Sequence, residues 1–275
     1  MPQLTSAARG SSVELRYDDL VALARCDFDV PAASTTAVIW PNGSGKSTLL
    51  AAIAGIHGPS AGTVTVLGVE PEEASVRVAF VPQSTKVNDA LPVTVREVVM
   101  MGRYPSLGFL RRFGDEDRTA VDGAIDRLDL GDLAARHLRE LSGGQRQRVF
   151  VAQGLAQDHD LLLLDEPMTG LDGVSSGIVR AVIDEERARG QTVILTTHDL
   201  EEAQSCDHVI LVNGTVVAQG SPDEVLTVET LSAVYRSQVV DKEGRLLFDD
   251  PAHATQDAAH VHVDRAAGTH PHDDV

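Results

Sequence analysis

The sequence predicts an α/β protein: a mostly parallel β-sheet covered by helices, with a helical lobe inserted near its middle. Three observations carry this. Strand-like and helix-like segments alternate along most of the chain. Leu161–Leu164 is an uninterrupted run of leucine, as a strand buried on both faces requires. Between about residues 90 and 156 the texture turns to helical periodicity, in VREVVMMGR, DRTAVDGAIDRLDL and GGQRQRVFVAQGLAQ.

The elements follow in order. Residues 13–30 alternate loosely and read as short strands with a turn near Asp18–Asp19. STTAVIW (34–40) is a strand rich in β-branched residues, and it runs through PNGSGK into the helical pattern STLLAAIAGI. GPSAGTVTVLG reads as a turn and a strand, and VRVAFVP (76–82) as another strand. GVSSGIVRAVIDEERARG is a helix that ends at Gly190, and QTVILTTH is a strand. DHVILVNGTVVAQG is a hairpin turned at Asn213–Gly214.

Composition narrows the class. The 275 residues are 43% hydrophobic and 23% charged, ordinary values for a globular chain. No apolar run is long enough for a membrane-spanning helix. The opening residues lack a basic start followed by an apolar stretch, so no secretory signal is expected. Cys26 and Cys206 are too few for a disulfide framework, which favours a reducing cytosol. The net charge of −18 argues against a nucleic-acid partner. Any anion must therefore be held by a local arrangement that outweighs the global field.

Such an arrangement stands between the third strand and its helix. Asn42, Gly43, Ser44, Gly45, Lys46, Ser47 and Thr48 form a phosphate-binding loop in the required strand-to-helix context. The glycines let backbone N–H groups turn inward, and the helix N-terminus adds positive potential. Lys46 reaches the β- and γ-phosphates of a nucleotide, and the Ser47 hydroxyl is a Mg²⁺ ligand. Trp40 stands where the usual pattern has glycine. ATP binding with altered affinity is expected there.

Two more motifs follow. Ser142, Gly143, Gly144 and Gln145 open a helix, either as an anion-binding N-terminus or as a plain cap. Asp165 and Glu166 end the leucine strand. A carboxylate pair in that place fits Mg²⁺ organisation by Asp165 and general-base action by Glu166.

Taken together, the phosphate loop, Gln83 after a strand, LSGGQ, LLLLDEP, Gly170-Leu171-Asp172 and then His198 resemble the ATP-binding subunits of ABC transporters over residues 13–236. The resemblance implies a P-loop, RecA-like core with an antiparallel β subdomain. It implies a nucleotide-binding domain over residues 1–240, with a helical subdomain at about 90–156. It further implies a head-to-tail homodimer with ATP between the Lys46 loop of one copy and Ser142–Gln145 of the other. By the same likeness Gln83 touches Mg²⁺ or the attacking water, and His198 holds the γ-phosphate and that water. Asp172 lines the dimer seam, and Tyr17 stacks on adenine, with a core strand aromatic as the other reading of Tyr17.

The implied partners are integral membrane permease subunits and, indirectly, an extracytoplasmic metal-binding protein, with this chain peripheral on the cytoplasmic face of the membrane. The segment from Val98 to Arg112, with Gly102-Arg103-Tyr104-Pro105, resembles the zinc/manganese importer class; similar segments occur in iron-chelate importers. A cassette for iron chelates or cobalamin, a soluble non-transport ABC ATPase and a non-hydrolysing cassette are the competing readings.

Residues 241–275 hold eight acids, three bases and five of the ten histidines, and read as a mobile tail. His260, His262, His270 and His272 fall in pairs two apart. They are candidate loose Zn²⁺ ligands, or incidental histidines in a solvated tail.

Overall fold

A computed structural model of the chain describes residues 4–39, 46–83, 92–107 and 111–235. Two sheets organise it. The smaller is antiparallel, in the order β2 (Leu20–Pro31), β1 (Ser6–Tyr17), β4 (Ala61–Val66). The larger runs β5 (Val78–Val81), β6 (Leu161–Asp165), β7 (Thr192–Thr197), β3 (Thr35–Ile39), β8 (His208–Val212), β9 (Val216–Gly220). Its first five strands are parallel, and β9 returns antiparallel beside β8. The helices are α1 (Lys46–Ile53), α2 (Pro71–Ala74), α3 (Val95–Met101), α4 (Tyr104–Leu107), α5 (Asp115–Arg127), α6 (Gly143–Ala156), α7 (Gly173–Ala188), α8 (Leu200–Gln204), α9 (Pro222–Val225) and α10 (Val228–Tyr235).

The period-two pleat divides the larger sheet between two cores. Leu161, Leu163, Ile194, Val38 and Ile210 face α1 and the antiparallel sheet. Leu162, Leu164, Leu195, Ile39 and Leu211 face the core built on α3, α5, α6 and α7. Each of the four leucines of β6 is fully buried, worth about 2 kcal/mol apiece.

The strand at the amino end is longer than its sequence pattern. SAARGSS has no apolar alternation, yet β1 begins at Ser6. The small Ala7 and Ala8 are buried, and Ala8 pairs with Val66 of β4, so sheet pairing extends a segment that propensity leaves open. Gly62 permits the approach of β4: its φ is +76°, and a Cβ there would stand 2.2 Å from the Ser12 carbonyl oxygen. At the other end of the prediction, residues 76 and 77 of the expected 76–82 strand belong to a 3₁₀ turn instead, and β5 starts at Val78.

The inserted helices are tied down by one buried acid. Asp117, in the first turn of α5, accepts from Gly114 N–H at 2.8 Å, Arg103 Nε at 3.0 Å and Arg111 Nη2 at 3.0 Å. The Gly114 N–H, with both arginines, holds its carboxyl below the usual range. Arg103, itself buried, also donates to the Ala156 carbonyl at 2.8 Å, at the end of α6.

Candidate functional site

Four strand ends meet along one edge of the larger sheet. β3 ends at Ile39 and α1 begins at Lys46, β5 runs toward Gln83, β6 ends at Asp165, and β7 ends one residue before His198. Crevices outside the carboxyl ends of parallel strands are where open α/β sheets bind ligands.

Ser47 lies in the first turn of α1, and its hydroxyl donates to Asp165 Oδ2 at 2.6 Å. Asp165 is 1% exposed, and its other oxygen accepts from Thr196 Oγ1 at 2.7 Å. The same Thr196 oxygen accepts from the Glu166 backbone N–H at 2.7 Å. Glu166 leaves the strand with φ +49°, a left-handed conformation that a non-glycine residue seldom takes. Its side chain accepts from Gln83 Nε2 at 2.6 Å, two residues beyond β5. Ser47, Gln83, Asp165 and Glu166, chosen from separate motifs, thus form one cluster. Hydroxyl and carboxylate oxygens without sulfur or imidazole fit a hard cation such as Mg²⁺, which binds few protein oxygens and keeps water and phosphate ligands. Among the described residues no group of three or more His, Cys, Asp or Glu is placed to hold a metal ion.

His198 is exposed, immediately after β7. The neighbouring Thr197 hydroxyl donates to buried Glu202 and accepts from Asp199 N–H at 3.0 Å, which fixes the turn into α8. Burial pushes the Glu202 carboxyl up.

A second group lies on the helical side. Ser142 caps α6: its Oγ accepts from Gln145 N–H at 3.3 Å, and Gln145 Oε1 accepts from Ser142 N–H at 3.0 Å. Ser142 and Gly143 are exposed. Asp172 caps α7 through Ser175 N–H at 2.8 Å, and that N–H holds its carboxyl low. A Cβ on Gly144 would lie 3.0 Å from Ser175 Oγ, so the two helix N-termini stand side by side with Gly144 in the gap. Tyr17 is 47% exposed and stacked on His57, with ring centroids 4.4 Å apart, so it is no core aromatic. Trp40, Asn42, Gly43, Ser44 and Gly45 lie outside the described residues, as does the Lys46 side chain, and so do His260, His262, His270 and His272. Thr48 is buried in α1.

Sequence reading missed Thr196. In QTVILTTH it is an ordinary β-branched strand residue; only the parallel register, which pairs Asp165 with Thr196, reveals its partners.

Residues 23–169 match the family model described as ABC transporter. This chain belongs to the ABC transporter family. It is 39% identical over 227 residues to the manganese transport system ATP-binding protein MntA of Synechocystis, covering 81% of this chain and 87% of the relative. It is 36% identical over 243 residues to the zinc transport system ATP-binding protein TroB of Treponema pallidum, covering 87% and 91%. An ABC transporter solved in an inward-facing conformation superposes with TM-score 0.74 at 29% identity, covering 88% of this chain and 95% of that one. The expected fold is therefore the observed one, an ABC ATPase, and the chain is an ATPase subunit of that family. Among the described residues no helix is long and apolar enough to cross a membrane.

Proposed function

We propose that this chain binds and hydrolyses ATP to drive a membrane importer of divalent metal ions, manganese or zinc. The observation that carries the catalytic part is the Asp165–Glu166 pair, one carboxylate beside the Ser47 hydroxyl and the other on Gln83. The names of the manganese and zinc relatives support the cargo.

In this reading residues 1–240 are the nucleotide-binding domain, with the helical subdomain at about 90–156 and the tail at 241–275. Lys46 and the loop amides of residues 42–48 take the phosphates, and Tyr17 stacks on the adenine. Ser47, Asp165 and Gln83 hold Mg²⁺, which when bound neutralises phosphate charge. Glu166 takes a proton from water as the water oxygen bonds to the γ-phosphorus and the bond to the β-phosphate oxygen breaks. His198 positions the water and the γ-phosphate. Ser142–Gln145 and Asp172 of a second copy close the site. The γ-phosphate, held by the Lys46 loop of one copy and the Ser142 helix N-terminus of the other, then joins the two subunits against their like charge, and its hydrolysis releases them. Permease subunits dock this chain on the cytoplasmic face of the membrane, and an extracytoplasmic metal-binding protein delivers the ion. Trp40→Gly shifts ATP affinity modestly. His260, His262, His270 and His272 bind Zn²⁺ weakly; deleting 250–275 removes a weak phase from a calorimetric zinc titration.

The test is Glu166→Gln. Hydrolysis falls about 10²- to 10⁴-fold, while ATP-driven dimerisation, read by light scattering, persists. Hydrolysis at the original rate, or a γ-phosphate enclosed by one chain alone, overturns the reading. Copurification with the permease, with manganese, zinc and iron chelates each assayed for stimulation of hydrolysis, decides the cargo.

A further inference from the structure

Thr196 is fully buried, the last residue but one of β7, and lies opposite Asp165 in the parallel ladder. Its hydroxyl has one proton and two lone pairs. The two contacts at 2.7 Å use them unambiguously: the proton goes to Asp165 Oδ1, and a lone pair receives the Glu166 N–H. Asp165 Oδ2 takes the Ser47 hydroxyl, so the carboxylate is fixed through both oxygens. Glu166 has already left the β6 ladder, in a left-handed conformation. Its N–H therefore needs a partner from outside the ladder, and the Thr196 hydroxyl is that partner.

We propose that Thr196 is a positioning residue for hydrolysis: one shared hydroxyl sets the plane of the Asp165 carboxylate and holds the Glu166 backbone in the turn that aims its side chain at Gln83. The proposal rests on the reading of Asp165 as Mg²⁺ organiser and Glu166 as general base. Valine has the same shape as threonine and serves a buried strand equally well. What it lacks is the donor for one acid and the acceptor for the other.

The experiment compares Thr196→Val, Thr196→Ser and Thr196→Ala. Amide hydrogen exchange is followed by NMR in nucleotide-free protein, and kcat, KM for ATP and the Mg²⁺ concentration for half-maximal rate are measured with nucleotide. In Thr196→Val the Glu166 amide exchanges about 10-fold faster or more, while Leu162–Leu164 keep their protection. Its kcat falls about 10- to 100-fold, the Mg²⁺ requirement rises, and KM for ATP stays within about threefold. Thr196→Ser restores protection and stays within about threefold of the original kcat.

A Thr196→Val protein with unchanged protection and rate overturns the proposal. So does a Thr196→Ser protein as impaired as Thr196→Val, because shape and not the hydroxyl would then matter. If Thr196→Val fails to fold, Thr196→Ser against Thr196→Ala makes the same decision. Glu166→Gln running at the original rate defeats the underlying assignment of the base, while the exchange measurement still judges the shared hydroxyl.

Discussion

The two walls of the proposed nucleotide site are built in different ways. The wall of Ser47, Asp165, Glu166 and Thr196 is held by contacts between distant parts of the chain: Ser47 and Asp165 lie 118 positions apart, Thr196 and Asp165 lie 31 apart. Its acids are buried, and their hydrogen bonds fix them before any ligand arrives. The wall of Ser142–Gln145 is local. Its two bonds span three residues each, and Ser142 itself is exposed. One surface is thus preorganised by the tertiary fold, the other by a helix cap that any similar tetrapeptide could make.

Asp165→Asn strikes the difference hardest. The amide presents a donor where two hydroxyls already donate, so one of them must turn away. Hydrolysis falls about 10²- to 10³-fold in a steady-state assay. A loss under threefold would show that the long-range bonds do not preorganise the first wall.

A smaller effect comes from an ion-pair clamp at the far end of α7 from Asp172. Glu186 on α7 pairs with Arg127 of α5 at 2.6 Å, His159 at 3.1 Å and Arg189 at 3.2 Å. Burial alone would raise its carboxyl, yet the hydrogen bonds from His159 and Arg127 prevail and hold it at about 2, below its ordinary 4.5. A depressed folded-state value stabilises the fold above the unfolded value, and that contribution disappears as pH falls through the folded one. The melting temperature therefore drops between about pH 4.5 and 2. Glu186→Gln flattens this acid limb by on the order of 2 kcal/mol after solvent screening. An identical limb in the variant would mean that the clamp adds nothing.

The smallest effect belongs to the local wall. Ser142→Ala removes a cap worth about 1 kcal/mol, seen as a fall of about 2–4 °C in melting temperature. ATP-driven dimerisation weakens as well. A thermal loss several times larger would show that more than a local cap holds this wall and would erase the contrast between the two.

The same contrast explains what the sequence made legible. Local signals were strong: the cap at Ser142, the leucines of β6 and the Asn213–Gly214 turn all stand where residue chemistry puts them. Asp165 and Glu166 could be chosen because acids ending a buried strand are unusual. Thr196 could not, since its partners come from pairing β6 with β7 rather than from any neighbour in sequence. The start of β1 was hidden for a similar reason, because Ala7 and Ala8 become strand only against β4. Asp117 was equally silent: it looks like one more surface acid in DEDR until Arg103 and Arg111 fold over it.

That acid has a mechanical consequence. Arg103 is bound at once to α5, through Asp117, and to the final carbonyl of α6, through Ala156. The exposed Tyr104 next to it is thereby joined without slack to both helices, so a displacement there would be felt along the whole of α6, whose opposite tip is Ser142.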